Sequence, residues 1–520
     1  MQVTHVFHQI KNTIKNNLVI KGTLILTIAG FSTRIIGFYN RIFLSGLIGA
    51  KEMGIYQLIF PLYMVAFALT TFGNELAVTK LVSEYKSHGD MASAGAFFKT
   101  CFCVNLMLSL LVCIIMHKNA EWLCVHILNA PECTTCLKII CLGIPFMSVK
   151  GAIHGYFLGL EKSSVHGISD LLEQTAKVLG LYLLATYICI RNNYDAAFAV
   201  WGIVIGEIIA FIYSVLALLI HNHKYHIISA KQPIHKEQIL RLFFKNSVPL
   251  TANRLSLTVL QSIESIMIPT VLLMFYHDST KSLATYGVFS GMAFPFIMFP
   301  STVTNSLSTM LLPAVSSASS SLKKPYLTRL CEKSLHFCLL IGIFSTITFY
   351  IFGPEIGTLF FQNKEAGMYL YQLSFLCPLI YLATTLASIL NGLGFASHNL
   401  LLTIIATIIR IGFIQLMIPK IGITGYTIGL FASYLFLSFA CIGKLQKHVP
   451  FELHFGESIF LPCCVFTLLG SLGFWVFQKA MLQYSSIPPI VLLLGIVAIY
   501  GTIGFLPFLI AIYKADPQPR

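Results

Sequence analysis

Charge is scarce in this chain: Asp, Glu, Lys and Arg make up 10% of its 520 residues, where a soluble domain carries about 25%. That scarcity excludes a soluble globular enzyme. There is no Walker loop, no nucleophile elbow and no zincin helix, so no catalytic residue is expected, and primary transport driven by an ATP site in this chain is disfavoured. No contiguous basic soluble segment exists, so nucleic acid is not an expected partner. The 14 cysteines lie mostly singly inside apolar runs, where a thiol behaves as a small hydrophobe, and they form no disulfide framework.

What fills the chain is hydrocarbon. Windows of about 19 residues find apolar runs near 18–48, 53–83, 93–117, 137–160, 166–189, 195–220, 246–275, 283–314, 334–360, 369–396, 400–419, 422–443, 458–479 and 488–513. At ~20 residues per crossing these predict an all-α polytopic membrane protein of about fourteen transmembrane helices. The first run contains arginine and has no small-residue cleavage site, so it reads as a span and not as a cleaved leader.

Lys plus Arg number 34 against 20 Asp plus Glu, a net charge of +14. In a membrane protein such an excess reflects cytoplasmic loops facing anionic lipid. The terminal segments and connections holding Lys11, Lys15, Lys86, Lys162, Lys224, Lys231, Lys236, Arg241, Lys245, Lys323, Lys324, Arg329, Lys333, Lys444, Lys447 and Lys514 alternate with poorer ones holding Lys51, Lys118, Lys138, Arg191, Lys281, Lys364, Lys420 and Lys479. An even number of spans with this bias, roughly two to one, places both termini in the cytoplasm.

The longest polar connection, 221–238, reads as a linker between bundles. The expected organisation is an N-lobe over 1–222 (six helices), a cytoplasmic linker over 223–237, a C-lobe over 238–446 (six helices) and two further helices over 447–520. A weak repeat supports it. Pro145 precedes His154-Gly155-Tyr156-Phe157-Leu158-Gly159, and Pro378 precedes Asn391-Gly392-Leu393-Gly394. Arg34 of the first span has a counterpart in Arg254 of the seventh. Parallel repeats of this kind build a central site between lobes in secondary transporters.

Charges inside spans cost about 2.5–3.5 kcal/mol each at a helix centre, so those present carry most of the functional information. The first span holds Arg34 and Arg41, two turns apart. The second holds Asn74, Glu75 and Lys80, the fifth Asp170, Glu173 and Lys177, the sixth Glu207, the seventh Asn253, Arg254 and Glu264, and the eleventh Arg410. Guanidinium groups facing a shared cavity suit a diphosphate, which they grip bidentately while staying charged. Arg34, Arg254, Arg41 and Asn253 are therefore the substrate-binding candidates. The plainer alternative pairs Arg34 with Glu75 and Arg254 with Glu264 as structural ion pairs, and Arg41 could instead snorkel to the surface. Glu173 and Lys177, four residues apart, satisfy one another in the favoured reading. Glu75, Glu173, Glu207 and Glu264 are the candidate cavity acids, with Glu207 or Glu264 available to couple Na⁺ or H⁺. No other cofactor is expected.

Gly37, Pro249, Pro295 and Pro300 are hinge candidates, because proline removes a helical hydrogen bond and permits a bend. Cys124, His126, Cys133 and Cys136 cluster in one outer loop. A single Cys-x-x-Cys is a weak metal signal, so no metal centre is expected, and whether Cys133 and Cys136 are oxidised is left open.

Several stretches together resemble a known family: Ser32-Thr33-Arg34-Ile35-Ile36-Gly37-Phe38, Gly54-Ile55-Tyr56, His154-Gly155-Tyr156-Phe157-Leu158-Gly159, Glu173-Gln174-Thr175-Ala176-Lys177-Val178, Asn253-Arg254-Leu255, Gln261-Ser262-Ile263-Glu264, Gly291-Met292-Ala293-Phe294-Pro295 and Leu311-Leu312-Pro313. Their order and spacing, from about residue 18 to the end, resemble the stage V sporulation protein B branch of the polysaccharide-transport family in the MOP superfamily. That branch is related to MurJ-type lipid II flippases and, more distantly, to MATE exporters. The resemblance implies two six-helix lobes in a V around a cationic cavity, with the last two helices forming a groove for a lipid tail. It implies a polyprenyl-diphosphate-linked saccharide such as lipid II as cargo, flipped to the outer leaflet by alternating access in the cytoplasmic membrane of a spore-forming bacterium, for peptidoglycan or spore cortex. Arg34 matches a cavity arginine of the MurJ type. Arg41 lies one residue further along than the next arginine there, and Asn74-Glu75 and Lys150 depart from the pattern. Membrane lipids and cell-wall synthases are the expected partners. A MATE-like cation-coupled exporter and a non-transporting scaffold for cell-wall synthases are the alternatives.

Overall fold

The structure is a computed structural model describing residues 18–188, 195–225, 236–320, 324–452, 454–483 and 487–514. Among these, every regular element is helical. In hydrocarbon a helix alone satisfies its own backbone groups within one segment, and the apolar runs therefore fold as helices. In chain order they are α1 (Leu18–Phe67), α2 (Gly73–Ser87), α3 (Met91–Lys118), α4 (Thr134–Cys141), α5 (Ile144–Gly159), α6 (Ser163–Leu183), α7 (Ala196–Tyr225), α8 (Lys236–Tyr276), α9 (Ser279–Tyr286), α10 (Phe294–Met298), α11 (Ser301–Ser320), α12 (Lys324–Phe361), α13 (Lys364–Leu373), α14 (Leu376–Gly392), α15 (Ala396–Ile421), α16 (Ile423–Gln446), α17 (Leu461–Gln483) and α18 (Pro489–Lys514).

The third helix shows the solvent these helices are made for. Its buried face carries Cys101, Asn105 and Ser109, while Met107, Leu111, Ile114 and Ile115 are exposed. Polar inside and apolar outside inverts the soluble pattern and fits a lipid surround. The chain is a multi-pass membrane protein.

Among the described residues nine helices are long and apolar enough to cross, or up to twelve if each of three bent pairs is one span. This falls short of the fourteen expected, for two visible reasons. The segment Ile28–Ser87 counts once although it is 60 residues long, about 90 Å of helix against a hydrocarbon core of ~30 Å. It is broken at Gly49, where φ is +76°, a conformation glycine adopts without steric cost. Helix α6 carries Asp170, Glu173 and Lys177 within 21 residues and so misses the apolar threshold.

The bent pairs follow the prolines and glycines. Pro131–Cys141 meets Ile144–Gly159 at 44°, Ser279–Met298 meets Ser301–Ser319 at 57°, and Lys364–Leu373 meets Leu376–Gly392 at 57°. Pro300 sits in the second break and Pro295 in α10, directly after a π-helical turn over Gly287–Ala293. Pro145 begins α5 and Pro378 lies in the first turn of α14. Helix α8 runs continuously through Pro249.

The chain forms two compact units, Met1–Ile266 and Met267–Arg520. Their boundary lies inside α8, so Arg34 and Arg254 both belong to the first. Of the linker expected over 223–237, residues 226–235 fall outside the described ones. The first unit packs α5 against α2 and α3, and α6 against α1 and α7, around a core that includes Val78, Phe97, Ala152, Tyr156, Phe157 and Phe243. The second packs α14 against α11 and α12, and α15 against α16, with α17 and α18 paired and resting on α12.

Within each unit the same close approach recurs. A Cβ added at Gly159 would lie 2.8 Å from Thr79 O and 2.8 Å from Val82 Cβ, and one added at Gly392 would lie 2.8 Å from Leu312 O and 3.0 Å from Val315 Cβ. One sequence offset relates Gly159 to Gly392, Thr79 to Leu312 and Val82 to Val315. The repeat seen faintly in the sequence is thus a repeat of helix packing, with glycine letting two backbones meet.

Candidate functional site: a buried lysine between two glutamates

Helix α5 is the central element of the first unit, and its Lys150 is only 7% exposed. An ammonium taken out of water costs several kcal/mol unless it is paired and hydrogen-bonded. Lys150 is paired twice. Its Nζ donates to Glu173 Oε2 of α6 at 2.5 Å and to Glu207 Oε2 of α7 at 2.7 Å. Glu207, 5% exposed, accepts a further bond at Oε1 from the Tyr63 hydroxyl of α1 at 3.3 Å. Four helices are thus tied to one polar centre inside an apolar bundle.

This arrangement revises two expectations. Glu173 bonds across helices to Lys150, where local spacing pointed to Lys177. Glu207, which has no nearby partner in sequence, has one 57 residues away in Lys150. Lys150 entered the sequence reading only as a departure from a family pattern. Its signal was present nonetheless: a lysine in the middle of an otherwise uncharged span demands a carboxylate.

Glu75 is half-buried on α2, beside α5: a Cβ at Gly151 would lie 3.7 Å from Glu75 Oε2. Its neighbour Asn74 is buried and donates to Asn105 Oδ1 of α3 at 2.6 Å and to Thr70 O at 2.9 Å. Glu264 is buried on α8.

The basic candidates have different surroundings. Arg34, Lys80, Asn253 and Arg254 are exposed on their helices. Arg41 is half-buried, and its Nη1 is enclosed with no hydrogen-bond partner among the described residues. Burial of that nitrogen runs against the snorkelling alternative. Gly37, one turn beyond Arg34, lies against α6, with an added Cβ 3.6 Å from Gln174 Oε1. Cys124, Cys133 and Cys136 are buried free thiols.

Among the described residues the second unit has no equivalent of the lysine centre. The offset that relates the glycines carries Lys150 to Ala383 and Glu173 to Ala406, both buried in one apolar cluster, and Glu207 to Ala440, packed against that cluster. The two halves share a helix scaffold, and at these three positions ions in one are replaced by methyl groups in the other.

An all-helical, internally repeated membrane bundle with broken spans is an architecture that secondary transporters use, and solved structures share the fold. The chain is similar to a lipid II flippase MurJ in its inward closed conformation, with a TM-score of 0.66 at 14% identity, covering 94% of this chain and 100% of that one. It is also similar to a multidrug resistance MATE family transporter of the MOP superfamily in its inward-facing conformation, with a TM-score of 0.62 at 15% identity, covering 87% of this chain and 96% of the other. Residues 19–319 match the family described as "Polysaccharide biosynthesis protein", and the chain belongs to that family. Stage V sporulation protein B of Bacillus subtilis (strain 168) is 24% identical over 474 residues, covering 90% of each chain. The resemblance read from the motifs therefore stands at the level of the family.

Proposed function

We propose that this protein is a flippase that moves a polyprenyl-diphosphate-linked saccharide, with lipid II as the favoured cargo, from the inner to the outer leaflet by alternating access. Both termini would be cytoplasmic, and the product would feed peptidoglycan or spore-cortex synthesis. The observation that carries this reading is a segregation of charge in the first unit. Two of its acids, the half-buried Glu173 and the buried Glu207, are engaged by Lys150, while Arg34, Lys80 and Arg254 are exposed on apolar helices. A diphosphate and sugar cannot cross hydrocarbon unaided, and exposed guanidinium groups supply the bidentate donors that phosphate oxygens take. A cation exporter would want the opposite, with its acids available to the cargo. In this reading Arg34 and Arg254 bind the diphosphate with Arg41 and Asn253 in support, and the lobes move about Gly37, Pro249, Pro295 and Pro300. Any Na⁺ or H⁺ coupling falls to Glu207 or Glu264.

The test is the amount of lipid II in the outer leaflet of cells depleted of their own flippase. The complementing proteins are the wild type, Arg34→Ala, Arg254→Ala and an empty vector, at matched membrane expression. The wild type should restore exposed lipid II. Each arginine variant should lose about 10- to 100-fold, the equivalent of one charge-assisted hydrogen bond at ~1.5–3 kcal/mol. A wild type that is folded in the membrane yet restores nothing overturns lipid II as cargo.

A further inference from the structure

One turn along α5 from Lys150 stands a second polar cluster, whose two histidines have no role in the flippase reading. His154 of α5 is 2% exposed, and its Nδ1 lies 2.8 Å from Nδ1 of His166 on α6. The rings meet nearly edge-on, 4.4 Å between centroids at 80°. Glu75 of α2 completes the group: a carboxylate oxygen and one nitrogen from each ring lie within 4.8 Å of one another.

Each ring has a further polar contact on its other nitrogen. His154 Nε2 lies 3.3 Å from Ser214 Oγ, which donates to Ala210 O at 2.8 Å and lies 3.1 Å from Ser169 Oγ. His166 Nε2 lies 3.6 Å from Asp170 Oδ2, an ion-pair contact longer than a hydrogen bond. With both Nε2 atoms protonated the two Nδ1 lone pairs converge as a metal ion requires, and with one Nδ1 protonated they form a hydrogen bond instead.

We propose that Glu75, His154 and His166 form a binding site for a divalent transition metal ion of the Zn²⁺ class. Two imidazole nitrogens and one carboxylate are the borderline donors Zn²⁺ takes at about 2.0–2.2 Å, with a fourth position open. A tetrahedral ion would need its donor atoms about 3.3 Å apart, so the two nitrogens would open by about half an ångström at the half-buried His166 and the Glu75 carboxylate would close on them from within 4.8 Å. Each histidine already has the partner on its other nitrogen that metal-bound histidines use to fix the tautomer, a hydroxyl for one and a carboxylate for the other. The close approach that sets Glu75 beside His154 is built into α5. A Cβ at Gly155 would lie 2.6 Å from Glu75 O. The scaffold alone does not require this set. The offset relating the two halves places Ser308, Ala387 and Asn399 at the matching positions, which hold neither an imidazole nor a carboxylate. The site stands independently of the identity of the cargo.

The experiment uses the full chain purified in detergent with any affinity tag removed, titrated with Co²⁺ and followed by visible d–d absorption, with Zn²⁺ as competitor. The variants are His154→Gln, His166→Gln, Glu75→Gln and Asp170→Asn, each checked for an unchanged melting temperature without metal. The wild type should take up one Co²⁺, displaced by Zn²⁺, with a metal-dependent rise in melting temperature. His154→Gln and His166→Gln should abolish both signals, and Asp170→Asn should weaken affinity about 10- to 100-fold, as loss of an outer partner does. If His154→Gln folds poorly, the half-buried His166 and Asp170 still report. A wild type with no d–d bands and no thermal response, or uptake unchanged in both histidine variants, overturns the proposal. The first result would leave a proton shared between the rings, and the second would move the metal to other ligands.

Discussion

Lys150 Nζ sits 2.7 Å from Glu207 Oε2, joining two helices whose charged residues are separated by 57 positions in the chain. Because Glu173 shares the same ammonium, the three groups stand or fall together. Removing one partner of a buried ion pair leaves an uncompensated charge and costs about 3–5 kcal/mol. Lys150→Ala should therefore lower stability by that amount in a detergent unfolding titration. Lys150→Met combined with Glu173→Gln and Glu207→Gln, which removes all three charges, should recover most of the loss. A Lys150→Ala protein as stable as the wild type would show that the centre contributes nothing to folding.

The Tyr63 hydroxyl contributes a weaker bond to the same centre, at 3.3 Å from Glu207 Oε1. Tyr63→Phe keeps the ring and removes the donor, so the cost should be about 0.5–1.5 kcal/mol. In the Lys150→Ala background the coupling between the two sites, read from a double-mutant cycle, should be non-zero. Strict additivity would place Tyr63 outside the network.

Helix contact through glycine is tested at Gly155 and Gly392. A Cβ at Gly155 would lie 2.6 Å from Glu75 O and one at Gly392 2.8 Å from Leu312 O, whereas Gly30 has nothing within 4 Å. Gly155→Ala and Gly392→Ala should each cost about 1–3 kcal/mol from overpacking. Gly30→Ala should cost nothing and could gain up to ~1 kcal/mol of helix propensity. Equal melting temperatures for all three would refute the account of helix contact through glycine.

Outside the spans, Asp90 caps α3 by accepting from the Ser93 hydroxyl at 2.5 Å and the Ser93 amide at 3.0 Å. Those bonds, the hydroxyl first, hold its carboxyl below the usual carboxylate range. Asp90→Ala should cost about 1 kcal/mol. Since the folded-state value is the lower one, the stabilisation is complete above about pH 4 and fades as pH falls further. Hydrogen exchange at the Ser93 amide, slow at neutral pH and faster in the variant, is the measurement.

Much of the fold was legible because it follows from local rules. Long apolar runs, sparse charge, and the Pro145–Gly159 and Pro378–Gly392 stretches are properties of contiguous residues, and they led to a helical, repeated membrane bundle and to its family. The count of spans was less legible, because the break at Gly49 lies within one continuous apolar stretch and because α6 carries three charges. At the site, the charged residues could be listed but not paired. Glu173 and Lys177 share a helix face by spacing, yet Glu173 turns to Lys150, where it meets an ammonium more deeply removed from water and in greater need of a partner.

The sequence by itself determined that this chain lives in a membrane as helices, because transfer of apolar side chains and satisfaction of backbone hydrogen bonds are settled segment by segment. Only the tertiary structure decided that Lys150 meets Glu173 and Glu207, and that Glu75, His154 and His166 converge. Each of those contacts depends on which faces of α2, α5, α6 and α7 pack together. In the first unit that packing is set by glycines that admit a neighbouring backbone and by the cost of leaving any buried charge alone.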